Sequence, residues 1–155
     1  MAWPKVGDAA RDITLPDQDA VPVTLSALWA AGPLVLYFYP KDETAGCTAE
    51  ACAFRDAYAV FRDAGAQVVG VSRDSAESHK AFAAHHRLPF VLLADVGGQA
   101  HLAWGIRKRW GLLTDRVTFV IDRHGVVRHQ FASHLRMGAH IEAAVAAIKG
   151  LQAEA

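Results

Sequence analysis

The sequence predicts an α/β domain: a central mixed sheet flanked by helices, with an N-terminal β-hairpin extension. Three observations carry this. Leu34-Val35-Leu36-Tyr37-Phe38-Tyr39 is an apolar run of strand length without alternation, as a strand covered on both faces requires. Further runs of this kind alternate with stretches of helical spacing, which implies crossover connections and a partly parallel sheet. Val117 to Ile121 and Val126 to Phe131 are strands joined by Asp122-Arg123-His124-Gly125, whose closing glycine suits a tight hairpin.

Taken in order, Arg11 to Leu15 and Val21 to Thr24 are short β-like pieces separated by a turn-rich stretch from Pro16 to Ala20. Ser26 opens a helical turn at most. The apolar run from Leu34 ends at Pro40. After a loop through Gly46, Ala51, Phe54, Tyr58 and Phe61 recur at helical spacing along one face, and Gly65 supplies a stop. Gln67 to Val71 is a second buried strand. Ser75 to Arg87 is an Ala-rich helix with Ser75 as N-cap, and Pro89 prevents its continuation. Phe90 to Leu93 is a third strand and Gly97 to Trp104 a short helix. From Gly138 to Leu151, Ile141, Val145 and Ile148 mark a final helix. A β-hairpin closing an alternating sheet before a terminal helix is the thioredoxin-like arrangement. The 155 residues suit a single domain, 1–155, with no internal repeat or linker.

Composition excludes several classes. Sixteen Lys plus Arg balance sixteen Asp plus Glu, and 52% of residues are apolar, so general disorder is excluded. Neutrality removes the electrostatic argument for a nucleic-acid partner, and Arg107-Lys108-Arg109 is too short a run to restore it. The uncharged stretch from Val21 to Pro40 is long enough to raise a membrane span, but Pro22 and the Gly32-Pro33 turn divide it into two short elements. The amino terminus lacks a basic start followed by an apolar stretch, so the expected compartment is the cytosol. There a close cysteine pair is more often catalytic, redox-sensing or metal-binding than a structural staple.

That pair is Cys47 and Cys52, the only cysteines. Cys47 falls where a buried strand gives way to a helix, and a helix start offers unsatisfied N–H groups and the positive end of a dipole, which favour an anionic sulfur. The alternative is a small buried hydrophobe. Against it stand the polar neighbours Thr44, Gly46 and Thr48 and the second sulfur.

Pro40, Thr44 and Cys47 match the Pro-x-x-x-Thr/Ser-x-x-Cys signature, and the chain resembles the peroxiredoxins, specifically the peroxiredoxin Q or bacterioferritin comigratory protein branch. The resemblance runs from about Lys5 to the last helix. It implies that Cys47 attacks a hydroperoxide, that Cys52, five positions on, resolves the resulting sulfenic acid, and that a thioredoxin-like dithiol restores both thiols. It also points to Arg116, in Arg116-Val117-Thr118-Phe119-Val120-Ile121-Asp122, as the family's later-strand arginine. Most members of the branch carry proline where this chain has Ala45, which leaves the loop freer. No haem, flavin or metal is implied, because sulfur does the redox work.

A low thiol pKa cannot by itself explain a fast peroxidase, since nucleophilicity falls along with the pKa. What remains is stabilising charge on the leaving oxygen with fixed donors. The Arg116 guanidinium, the Thr44 hydroxyl and the Cys47 N–H are the candidates, while Pro40 can shield the sulfur from water. Each has a plainer alternative: Pro40 as a strand end, Thr44 as a helix cap, Arg116 as a surface cation. Glu50, one turn beyond Cys47, either orients Arg116 or is a solvated acid. Trp3, Trp29, Trp104 and Trp110 are equally compatible with a collar around the site and with core packing.

Five residues along an ideal helix separate two Cα atoms by about 8.6 Å. A disulfide needs about 4.4 to 6.8 Å, so the first turns of this helix must unwind before Cys52 can reach Cys47. No cysteine follows Cys52, so resolution is internal and a monomer suffices. Competing readings are a zinc site, disfavoured because His85 and His86 point about 100° apart on a helix, protein thiol-disulfide exchange, which favours Cys-x-x-Cys, and a redox sensor on the same scaffold.

Overall fold

The computed structural model describes residues 2–109 and 113–154. Its N-terminal extension is a hairpin of β1 (Thr14–Pro16) and β2 (Pro22–Thr24), paired through Leu15 and Val23. Then follow α1 (Leu25–Ala31), β3 (Leu34–Phe38), α2 (Ala45–Asp56), α3 (Tyr58–Asp63), β4 (Gln67–Ser72), α4 (Ala76–His86), β5 (Val91–Ala94) and α5 (Gln99–Ala103). The short strands β6 (Lys108–Arg109) and β7 (Leu113–Thr114) pair with each other, and β8 (Val117–Ile121), β9 (Val127–Ala132) and α6 (Met137–Glu154) complete the chain.

The main sheet has the order β5-β4-β3-β8-β9. β3, β4 and β5 run parallel, and β8 and β9 join antiparallel. This is the mixed, thioredoxin-like sheet that the element order implies. Every residue of β3 is buried, so its alternation serves two cores. Val35, Tyr37 and Tyr39 pack with Ala51, Phe54 and Phe61 of the α2–α3 arm, Phe82 of α4 and Ile141 and Ile148 of α6. Leu34, Leu36 and Phe38 pack on the other face with Val69, Phe119, Trp104 and the hairpin's Leu15. No described helix is long and apolar enough to cross a membrane.

Four local expectations need correction. The segment after Thr24 is a helix of seven residues rather than a single turn, because Leu25, Leu28 and Trp29 fall three and four apart and pack against the second core. The cysteine-bearing helix begins at Ala45, before Gly46. It also breaks at Ala57 (φ −91°, ψ 2°), so that α3 brings Phe61 into the core beside Phe54. The β6–β7 pair has no signal in the sequence. Ser75 caps α4 as expected, its hydroxyl accepting from the Ser78 N–H at 3.1 Å. Gly125 closes the β8–β9 turn at φ +74°; a Cβ there would lie 2.9 Å from Trp29 Nε1.

Candidate active site

Cys47 is the third residue of α2 and is 1% exposed. It packs in the first core, yet its sulfur is not walled in by hydrocarbon alone. Arg116 Nη2 donates to Cys47 Sγ at 3.2 Å. The sheet register explains how residues so far apart in sequence meet. Phe38, the last residue of β3, pairs with Val117, the first of β8. Arg116 therefore stands at the sheet edge from which the chain leaves for α2. Successive residues of β8 face opposite sides, so Arg116 and Thr118 both point toward the α2–α6 layer.

The guanidinium is fixed on its other side. Arg116 Nη1 donates to Glu50 Oε1 at 2.8 Å, and Glu50 and Arg116 are 0% and 5% exposed. Glu50 is thus no solvated acid, and Arg116 is no surface cation. Burial pushes the Glu50 carboxyl up to about 7, although Arg116 beside it draws it down. Burial works against the charge of Arg116, but Glu50 and Cys47 outweigh it and raise the guanidinium above its ordinary value. Glu50 Oε2 accepts no hydrogen bond and lies 3.6 Å from His140 Nδ1.

His140 is 0% exposed on α6, its Nδ1 paired with the Thr118 hydroxyl at 2.8 Å and its Nε2 donating to the Ser133 carbonyl at 2.8 Å. Burial lowers it to about 4; the Ser133 carbonyl opposes this, and the Arg116 and His134 charges add to it. Neutral His140 holds Thr118 and closes the site behind Glu50. Gly46 lets α2 pass close to Met137 and Arg116. A Cβ there would sit 3.1 Å from Met137 Cε and 3.3 Å from Arg116 Nη2. Met137, Thr118 and His140 were not found by sequence reasoning. Only Thr118 left a signal, by sharing the Arg116 face at a spacing of two.

The other expected residues are placed as follows. Thr44 is the N-cap residue of α2, but its exposed hydroxyl donates to the Lys41 carbonyl at 2.9 Å and makes no cap bond. Pro40 is half-buried and follows Tyr39 directly off the end of β3. Cys52 is half-buried, lies in the same unbroken helix as Cys47, and both thiols are free. Trp104 is fully buried in the second core, against which Trp3 and Trp29 also pack. Trp3 additionally lines a depression of about 200 Å³ that reaches Arg116. Trp110 lies outside the described residues.

Asp42, in the loop ahead of Cys47, anchors that loop in a way the sequence did not announce. Its carboxylate accepts from Tyr39 Oη (2.6 Å), His79 Nδ1 (2.7 Å) and the Ser78 hydroxyl (2.8 Å), while its N–H donates to Asp74 Oδ2 (2.9 Å). Burial raises the Tyr39 hydroxyl well above its usual value, and Tyr37 and Asp42 add to this, so Tyr39 remains a donor. One residue on, Glu43 receives His85 Nδ1 at 2.8 Å and His86 Nε2 at 2.7 Å. The two histidines, expected to point apart, converge. One uses Nδ1 and the other the more distant Nε2, and the two oxygens of a single carboxylate bridge the difference.

Comparison with known proteins agrees with this arrangement. The AhpC/TSA family matches residues 6–130. Chloroplastic peroxiredoxin Q of Sedum lineare is 45% identical over 147 residues, covering 94% of this chain and 78% of that protein. The Triticum aestivum counterpart is 45% identical over 146 residues, covering 94% and 67%. The crystal structure of peroxidoxin BcpB from Mycobacterium tuberculosis superposes with a TM-score of 0.89 at 39% identity, over 96% of this chain and 98% of that one. Xanthomonas campestris peroxiredoxin Q gives a TM-score of 0.84 at 34% identity, over 97% and 98%. With the thiol held under a buried arginine at the start of a helix, these likenesses show that the chain belongs to the AhpC/TSA family, in its peroxiredoxin Q branch of thiol-dependent peroxidases.

Proposed function

We propose that the protein reduces hydrogen peroxide and organic hydroperoxides at Cys47, resolves the product internally with Cys52, and is recycled by a thioredoxin-like dithiol. The observation that carries this is the 3.2 Å contact between Arg116 Nη2 and Cys47 Sγ, at the start of α2. The Cys47 thiolate attacks one peroxide oxygen. An S–O bond forms as the O–O bond breaks, and the departing oxygen takes a proton and leaves as water or alcohol. Arg116 stabilises the thiolate and then the charge that moves onto oxygen, with Glu50 as the residue that positions it. The Cys47 N–H is available at the helix start, where no intrahelical acceptor competes for it. The Thr44 hydroxyl serves as a further donor once it turns from the Lys41 carbonyl.

The Cys52 thiol then attacks the sulfenic sulfur, forming the S–S bond and releasing water. Two free thiols in one continuous helix support a step in which residues 45–52 unwind first, with Ala45 in place of proline easing it. A bacterioferritin comigratory protein of Xanthomonas campestris is described by its alkyl peroxide reduction activity, which supports including organic hydroperoxides. Internal resolution needs no second chain, so a monomer suffices, and two free thiols suit a reducing compartment such as the cytosol.

Steady-state peroxide turnover with thioredoxin tests the reading. Cys47→Ser should lose all activity. Cys52→Ser should retain one fast oxidation but lose recycling by thioredoxin. Undiminished turnover in Cys47→Ser would end the proposal, and reduction of insulin disulfides without peroxide would favour an exchange enzyme instead.

A further inference from the structure

We propose that Glu43, His85 and His86 form a binding site for one divalent transition-metal ion such as zinc, which pins the loop ahead of Cys47 to the end of α4. The three donor atoms lie within 4.8 Å of one another and come from two separate elements. The imidazole rings are 4.2 Å apart between centroids and turn toward the same carboxylate. Two imidazoles and a carboxylate are a donor set that suits zinc, copper or nickel, and with water as a fourth ligand they leave an open coordination position.

The required adjustment is small. The nitrogens now stand 2.8 and 2.7 Å from the Glu43 oxygens, as hydrogen-bond partners. Four ligands about 2.0 to 2.1 Å from an ion in tetrahedral array lie about 3.3 Å from each other. The two contacts to Glu43 need to open by about half an ångström, and the two ring nitrogens, within 4.8 Å of each other, need to settle at the same spacing. His85, 66% exposed, and Glu43, 49% exposed, are free to move by that much, while His86, 16% exposed, provides the fixed point.

Glu43 itself is held at φ +60°, a left-handed conformation that a glutamate adopts only when its surroundings impose it. Of the cations nearby, Arg55 is engaged by Asp56 at 3.0 Å and by the His86 carbonyl at 2.8 Å. Arg87 follows α4 and, with Arg55, His85 and His86, lines a depression of about 360 Å³. The buried cluster of Asp42, Asp74 and His79 differs. Its donor atoms are taken up by Tyr39, Ser78, Ser72 and the Leu93 carbonyl, which leaves no room for an ion.

The proposal does not depend on the peroxidase reading, and its test reads binding alone. Free thiols would bind zinc themselves, so the untagged full chain carrying Cys47→Ser and Cys52→Ser is titrated calorimetrically with zinc. One ion per chain is expected. Adding Glu43→Gln, or His85→Asn with His86→Asn, should weaken binding by at least about tenfold. Hydrogen exchange of the amides of residues 41–46 should slow on adding zinc, and only where the three ligands are intact. Absence of one-to-one binding, binding that survives either replacement, or unchanged exchange in that loop would overturn the proposal.

Discussion

Glu50 is a buried acid that serves a cation and is also tied to the pH behaviour of the fold. Its pKa of about 7 in the folded protein exceeds the ordinary 4.5, so the folded state holds the proton more tightly. Its contribution to stability is whole below about pH 4.5 and is lost as pH rises through 7. His140, at about 4 against an ordinary 6.5, works the other way. Its contribution is present above pH 6.5 and lost as pH falls through 4. In the range where both titrate the two slopes oppose each other. Glu50→Gln should therefore leave the His140 slope alone, with unfolding free energy rising between pH 4.5 and 6.5 more steeply than in the parent. Urea unfolding at a series of pH values measures this; parallel curves would contradict it. Because Arg116 loses the carboxyl oxygen that fixes its guanidinium, peroxide turnover should also fall, by about 10 to 100-fold.

Among the elements, α2 holds Cys47 under Arg116 as a helix, and the proposed resolution by Cys52 requires the same helix to open. Oxidation should expose the amides of residues 45–52 to hydrogen exchange, and reduction should protect them again. Disulfide formation with undiminished protection would contradict unwinding. Gly46 in this helix sits close between Met137 and Arg116. Gly46→Ala improves helix propensity by about 0.5 to 1 kcal/mol but forces the guanidinium or Met137 aside. We expect a protein as stable as the parent or nearly so, with turnover reduced at least about tenfold. Unfolding and steady-state assays on one preparation separate the two effects. The helix start and its cysteines were legible from the signature spacing. The close approach at Gly46 was not, because its neighbours arrive from just before β8 and from α6.

For the whole molecule, the two-faced sheet separates stability from chemistry. Val35, Tyr37 and Tyr39 face the layer that holds Cys47, whereas Leu36 faces the other core. Leu36→Ala removes a fully buried side chain from the central strand and should cost about 2 to 5 kcal/mol, against a total of about 5 to 15 kcal/mol for a domain. Turnover per folded molecule should stay near the parent value, because the cavity opens on the far side of the sheet. Denaturant titration measures the first expectation and an active-site thiol count with kinetics the second. A change in turnover out of proportion to the folded fraction would show that the two faces are coupled.

The sequence by itself determined the order of the five main-sheet strands, their buried character at the centre and the position of Cys47 at a strand-to-helix junction. These follow from apolar periodicity and from residue types at fixed local spacing, both of which are written along the chain. It also named Arg116, through a stretch resembling one in the family. Only the tertiary structure decided that Arg116 bridges Glu50 and Cys47, that His140 and Met137 close the site, and that Asp42 and Glu43 tie the loop to α4. Those contacts depend on sheet register and helix packing, which bring together residues far apart in the chain. Polar partnerships of that kind leave no periodic trace in the segments that form them.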